Sequence, residues 1–195
     1  AMNSTIQAKS LVSLLVIVGQ PTLAGQFVIE LGAPFEPPSE EVYERHGVEL
    51  DELLSAGDDS YAVFTASDQD TLIDFLKEAS ASVEKTSEVL FVNSPTVGGG
   101  EPAGQLPRDG HQVFVIERPI PGVGFFGLEK KQKISKGSNA AIEKLGDIIE
   151  WDHSYLTSEG TYCVYRADAP ETLREHGALA GAPIGKITSV SQIVE

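Results

Sequence analysis

Tyr61-Ala62-Val63-Phe64 and Tyr162-Cys163-Val164-Tyr165 lie 101 positions apart and open two stretches of one design, residues 61–91 and 162–192. At the same spacing, Thr71-Leu72-Ile73-Asp74-Phe75-Leu76 aligns with Thr172-Leu173-Arg174-Glu175-His176-Gly177, and Val83 and Val89 align with Ile184 and Val190. Upstream, Phe27-Val28-Ile29-Glu30 echoes Phe114-Val115-Ile116-Glu117. An internal repeat sets the architecture before any single residue does. It also compares the copies. Where the second has Cys163 and His176, the first has Ala62 and Phe75, so chemistry is expected in the second copy.

Working outward, each repeat reads strand, helix, strand, strand, helix, strand. In the first, Ser39 caps a helix over 40–46 and Gly47 stops it. A strand over 48–54 turns at Gly57-Asp58-Asp59 into the Tyr61–Phe64 strand. A helix over about 68–80 carries Leu72, Phe75, Leu76 and Ala79 at helical spacing, and Val89–Val92 closes the unit. In the second, strands are expected near 112–118, 148–157, 161–166 and 187–193, with helices near 125–145 and 169–180; Pro170 suits a first turn. The Gly/Pro-rich stretch 93–110 reads as a linker between repeats 26–92 and 111–195. This order, βαββαβ twice, is the ferredoxin-like pattern of the α+β class: an antiparallel sheet with helices on one face. The uncovered sheet faces predict two tandem repeats packed sheet to sheet as a pseudo-dimer within one chain.

The chain has 195 residues, 41% of them hydrophobic, a formal charge of −15 and one cysteine. That charge argues against nucleic acid and anionic membranes as partners. One thiol excludes an internal disulfide. Residues 1–25 form a separate N-terminal apolar segment. Lys9, the run Leu11–Val18 and Thr22-Leu23-Ala24 have the outline of a signal peptide, and the run is too short to span a bilayer. The other reading is a buried element of the fold. The expected location is cytoplasmic, or exported if residues 3–24 are a signal.

The second copy holds the candidate chemistry. His176 takes a core-facing position, as Phe75 does in the first copy, and a buried imidazole needs hydrogen-bond partners or a metal. Simple alternation puts Ile149, Trp151, His153 and Tyr155 on one strand face. Cys163 lies on the next strand, and Glu117 ends an apolar strand. Imidazole, thiolate and carboxylate together suit nickel or another divalent transition metal. The metal set is therefore His176, Cys163, His153, Glu175 and Glu117; Trp151, Tyr155 and Tyr165 would line an organic ligand. With a two-residue turn at Glu159-Gly160, Cys163 faces Leu156; a one-residue slip sets it opposite Tyr155. No Gly-x-Gly-x-x-Gly fingerprint, P-loop or nucleophile elbow is present, so no nucleotide cofactor is expected. Glu129-Lys130-Lys131-Gln132-Lys133 reads as a solvated helix face.

One set of motifs resembles a known family. Val115-Ile116-Glu117-Arg118-Pro119-Ile120-Pro121-Gly122-Val123-Gly124, Ile149-Glu150-Trp151-Asp152-His153-Ser154-Tyr155, Tyr162-Cys163-Val164-Tyr165-Arg166-Ala167, Arg174-Glu175-His176 and Gly181-Ala182-Pro183 occur in the order found in a nickel-binding ferredoxin-like bacterial family. The resemblance covers about residues 112–193. It implies a ferredoxin-like fold, nickel binding and a tendency to dimerise, hence a homo-oligomer beyond the internal pseudo-dimer; it implies no enzymatic activity. The chain departs from the pattern at Ser138-Asn139, where the family often has Ser-Cys, at Ala182 within Gly-Phe-Pro, and at the turn Ser158–Thr161. The first repeat lacks the motifs and reads as a degenerate structural copy.

Three functions remain open at this stage: a small metal- or ligand-binding protein with its site in the second repeat, a dimeric α+β barrel-type enzyme acting on a small organic substrate between the sheets, and a structural module. Fold alone does not choose among them.

Overall fold

The computed structural model describes residues 24–194, so the apolar run at 11–18 and nearly all of the N-terminal segment lie outside the described residues. Within them the fold is mixed α/β, with one antiparallel sheet of nine strands and four α-helices. The first half runs β1 (Gly25–Leu31), α1 (Glu40–His46), β2 (Glu49–Ser55), β3 (Ser60–Ala66), α2 (Gln69–Glu78), β4 (Val83–Val89) and β5 (Phe91–Asn93). The second runs β6 (Gln112–Arg118), α3 (Leu128–Leu145), β7 (Ile149–Leu156), β8 (Thr161–Ala167), α4 (Pro170–Ala180) and β9 (Ile187–Val194). No helix among the described residues is long and apolar enough to cross a membrane.

Local chemistry explains the helix ends. The Asp68 carboxylate accepts from Thr71 N at 2.8 Å and so caps α2. Gly47 and Gly181, at φ 61° and 64°, take the left-handed conformation that closes α1 and α4. The segment after β5 is packed rather than loose: Ser135 Oγ donates to Ser94 O at 2.7 Å and Asn139 Nδ2 to Pro95 O at 3.0 Å, tying it to α3.

The strand pairings differ from two independent sheets laid face to face. The strand order is β4-β1-β3-β2-β9-β6-β8-β7-β5. β9 pairs with β6 through residues 187–190 and then with β2 through 191–194. In the same way, β4 pairs with β1, and β5, one residue further on, pairs with β7. Leu90 N bridges that step by donating to Leu156 O at 2.8 Å. The two ends of the sheet are therefore one continuous stretch of chain, and the sheet closes on itself.

Alternation along the strands then sorts residues into three cores. Phe27, Ile29, Leu31, Ala62, Phe64, Leu72 and Phe75 fill the space between the first half's strands and its helices. Val28, Tyr61, Val63, Val113, Val115, Tyr155, Tyr162 and Val164 fill the interior of the closed sheet, with strands of both halves contributing. Phe114, Ile116, Ile149, Trp151, Cys163, Tyr165 and Leu173 lie under α3 and α4. α3 is unusual in what it turns inward: its buried residues are Lys131, Ser135, Ser138 and Ala141. Lys131 is thus not part of a solvated face; its Nζ lies 4.3 Å from the centre of the Phe91 ring.

Two expectations for β7 are corrected. A bulge at Asp152 shifts the pairing with β8, so Trp151 and Ile149 face the helices while Tyr155 faces the sheet interior. Ile149, Trp151, His153 and Tyr155 therefore do not share a face. The β7–β8 turn spans four residues, Thr157–Gly160, which sets Thr161 opposite Leu156 and Cys163 opposite Ser154, in neither of the two expected registers. Gly160 is required in that turn, because a Cβ there would stand 2.3 Å from the Arg118 carbonyl oxygen.

Candidate functional site

A cavity of about 770 Å³ lies between the second half's strands and its two helices. Four side chains form its floor: Trp151 from β7, Cys163 and Tyr165 from β8, and Arg118 from the end of β6. Its walls are Ser138 and Gly137 from α3 and His176 from α4, with Pro119–Pro121 and Gly181–Pro183 at the rim. The Trp151 and Tyr165 rings are stacked, 6.1 Å apart and 14° from parallel.

The polar groups form one chain. Arg118 Nη1 donates to Pro183 O at 2.9 Å, and Nη2 faces His176 Nδ1 at 3.5 Å. His176 Nε2 meets Ser138 Oγ at 3.1 Å, and Ser138 Oγ meets Tyr165 OH at 3.0 Å. Burial and then the Arg118 charge hold His176 down to about 4, so its imidazole is neutral at pH 7. With Arg118 donating to Nδ1, the proton of that neutral ring sits on Nε2 and is donated to Ser138. Burial first, and the Cys163 thiol beside it, push the Tyr165 phenol up. Thr161 Oγ1 and Cys163 Sγ are 3.0 Å apart.

Comparison of the halves gives this arrangement its meaning. Opposite Ser60 in β3 stands Leu31 of β1; at the matching step, opposite Thr161 in β8, stands Arg118 of β6. Leu31, Ala62, Phe64 and Phe75 make a filled apolar core in the first half. Arg118, Cys163, Tyr165 and His176 hold the corresponding places and line a cavity in the second.

The other candidates lie elsewhere. His153 is at one mouth of the closed sheet, with Nε2 2.9 Å from Glu52 Oε2 and Nδ1 3.2 Å from Asp152 Oδ1. Tyr155 OH donates to the same Glu52 oxygen at 2.6 Å, and Gln192 Nε2 to Glu52 Oε1 at 2.7 Å. Burial alone would lower His153, but its bonds and charge contacts with Asp152 and Glu52 outweigh this and raise it to about 9. Burial likewise opposes the charge on Glu52, and the His153 contact wins, leaving its carboxyl below the usual range. Glu117 points into the sheet interior, where Tyr61 OH donates to it at 2.8 Å; its counterpart Glu30 receives Tyr162 OH at 2.5 Å. Burial raises the Glu117 carboxyl, the Tyr61 bond opposes this, and Glu30 adds to it. Glu175 is on the exposed side of α4. Sequence reasoning passed over Arg118, Ser138 and Glu52. Arg118 had a signal: it is the residue next after the aligned Glu30/Glu117 pair, where a buried leucine becomes an arginine.

Residues 114–190 match the model of a family described as nickel responsive protein SCO4226-like. The resemblance read from the motifs therefore holds for this segment of the chain. Among curated proteins none matches. Solved structures with a similar backbone course include chlorite dismutase from Candidatus Nitrospira defluvii in complex with imidazole, at 10% identity and TM-score 0.46, covering 86% of this chain and 90% of that one. Another is a putative monooxygenase from Lactobacillus acidophilus NCFM, at 8% identity and TM-score 0.41, covering 87% and 93%.

Nickel stands in the family's description, and the donors in the cavity bear on whether it fits there. His176 and Cys163 share the cavity, but the guanidinium of Arg118 lies against His176 Nδ1, and the lining includes no carboxylate. A divalent cation placed there would meet an unscreened like charge. His153 is committed to two carboxylates in another region. Among the described residues, no group of three or more His, Cys, Asp or Glu is placed to hold a metal ion. The cavity residues do not fit nickel.

Proposed function

We propose that this chain is a duplicated ferredoxin-like unit, an internal pseudo-dimer whose first copy is structural and whose second copy binds a small organic molecule. The reciprocal pairing of β4–β5 and β9 with strands of the opposite half supports the duplication. The single observation that carries the binding function is the replacement of a filled core by a cavity at matching positions. Concave, mostly apolar sites with a few convergent polar groups are the usual form of a small-molecule pocket. Trp151 and Tyr165 supply the flat apolar surface; His176, Cys163 and Ser138 supply polar contacts. Tyr155, His153, Glu117 and Glu175 stand outside this pocket. The barrel-type enzyme reading needs a pocket between the sheets; apolar side chains of both halves fill the middle of that space, and the cavity of about 820 Å³ left at its mouth is lined by His153, Tyr155 and Glu52, which are already bonded to one another.

Trp151 is the chain's one tryptophan and lines the cavity, so its fluorescence reports occupancy directly. Gly137, exposed on α3, borders the cavity, and a Cβ there would meet nothing within 4 Å. Gly137→Leu is expected to obstruct the cavity while raising stability by about 1 kcal/mol, because glycine is a poor interior helix residue. A panel of small aromatic acids, amides and amines, with nickel sulfate alongside, is titrated against Trp151 emission. Organic members of the panel should shift the emission of the native protein and not of Gly137→Leu. A native protein silent to the whole panel, or responding only to nickel, sinks the reading.

A further inference from the structure

The charge of the cavity is opposite to that of the chain. The protein carries −15 overall, yet the cavity lining includes Arg118, Lys130 and Lys133 and no aspartate or glutamate. Arg118 is the informative one. Its side chain is buried, with 5% exposure; its guanidinium donates to one carbonyl, has one long contact to a neutral imidazole and lies beside Cys163 and Tyr165, whose ring centre is 5.9 Å away, but it meets no carboxylate among the described residues. Every other arginine within residues 24–194 has a carboxylate within ion-pair distance: Arg45, Arg108, Arg166 and Arg174. The contrast with Arg166 is closest. It is equally buried, at 4%, and meets Glu150 at 3.3 Å and Asp152 at 3.0 Å. A buried charge without a counter-ion is costly, and the corresponding place in the first half is an ordinary leucine. Packing therefore does not require the arginine.

We propose that the cavity takes a small organic carboxylate, its anionic end held by Arg118 and its flat apolar body lying against Tyr165 and Trp151. This deepens, and rests on, the small-molecule reading above. The guanidinium fork is planar and matches a carboxylate in two parallel hydrogen bonds. The stacked rings at the floor suit a planar apolar body. Lys130 and Lys133 at the lining add a long-range attraction for anions that the rest of this acidic surface repels.

The test uses the full chain and three probes in calorimetric titrations: 2-naphthoate, its neutral isostere 2-naphthamide, and inorganic phosphate. The native protein should bind the acid at least about tenfold more tightly than the amide, as a charge-assisted pair predicts. Arg118→Met should bring acid and amide within about twofold of each other, and Arg118→Lys, which keeps the charge and loses the fork, should fall between. If Arg118→Met fails to fold, the acid–amide comparison on the native protein decides alone. Equal binding of acid and amide, both lost in Gly137→Leu, overturns the carboxylate class and leaves the small-molecule pocket standing. Binding of phosphate but not of naphthoate overturns the organic carboxylate. Binding of none of the three to the native protein overturns this assignment as well.

Discussion

At the scale of single residues, His176 is where function and stability part. The matching Phe75 shows that an aromatic ring satisfies this position without any polar partner. His176 is instead a neutral imidazole, held down to about 4 by its burial and by Arg118. Because this lies below imidazole's ordinary 6.5, the unfolded chain takes up the proton first as the pH falls. Stability attached to the neutral ring is full above pH 6.5 and is lost as the pH drops towards 4. A shift of this size corresponds to something on the order of 3 kcal/mol. His176→Phe should therefore match the native protein within about 1 kcal/mol at pH 7. It should outlast it increasingly between pH 6.5 and 4, as urea unfolding at a series of pH values would measure. An equal gap between the two proteins at pH 7 and pH 4.5 would show that the ring is not held neutral. A large loss at pH 7 would make His176 a structural hydrogen-bond hub.

At the scale of elements, the bulge in β7 decides which residues meet. Without it, period-two alternation would carry His153 and Tyr155 onto the helix side with Trp151, and the cavity would hold a second imidazole. With it, they face the sheet interior and reach Glu52. β2 has a register shift at the equivalent place, around Asp51. Deleting Asp152 restores strict alternation and turns one end of β7 to the wrong face. The expected cost is on the order of 3–5 kcal/mol, in the range of emptying a core position. Asp152→Ala keeps the register and should cost clearly less by chemical denaturation; a deletion no worse than the alanine would mean the bulge does not set the phase. The element order and most boundaries were legible from turn residues and apolar spacing. The phase of β7 was not, since alternation assumes an unbroken ladder; the one available sign was a strand-averse aspartate at 51 and again at 152. Arg118 escaped for a related reason. The strands before the long helix α3 are offset by 87 positions from their counterparts, as Leu31 and Arg118 show, whereas those after it are offset by 101. The alignment of Phe27–Glu30 with Phe114–Glu117 uses the smaller offset but stops one residue short of setting Arg118 against Leu31.

At the scale of the whole molecule, the two halves are joined by exchanged strand ends and by polar pairs that cross between them. Tyr61 with Glu117, Tyr162 with Glu30, and His153 with Glu52 each take one partner from each half. The first two pairs are counterparts of one another, and the third joins equivalent positions of β2 and β7, one residue past each bulge. None of this is visible in a sequence, because each partner lies 56 or more positions from the other. The His153–Glu52 contact gives the joint a pH dependence with a definite sign. His153 in the folded protein titrates at about 9, above its ordinary 6.5, so the folded state holds the proton longer as the pH rises. The stability from this pair is complete below pH 6.5 and is lost as the pH climbs through 9, opposite in direction to the His176 effect. Native protein should lose roughly 2–3 kcal/mol across that window. His153→Gln, which can still bond Glu52 but cannot titrate, should lose little. The check is the urea midpoint of both proteins from pH 6.5 to 9.5, above the His176 window. If the native midpoint stays level while the tyrosine and lysine side chains are still in their ordinary forms, His153 is neutral in the folded protein. The halves would then be held by packing and exchanged strands alone.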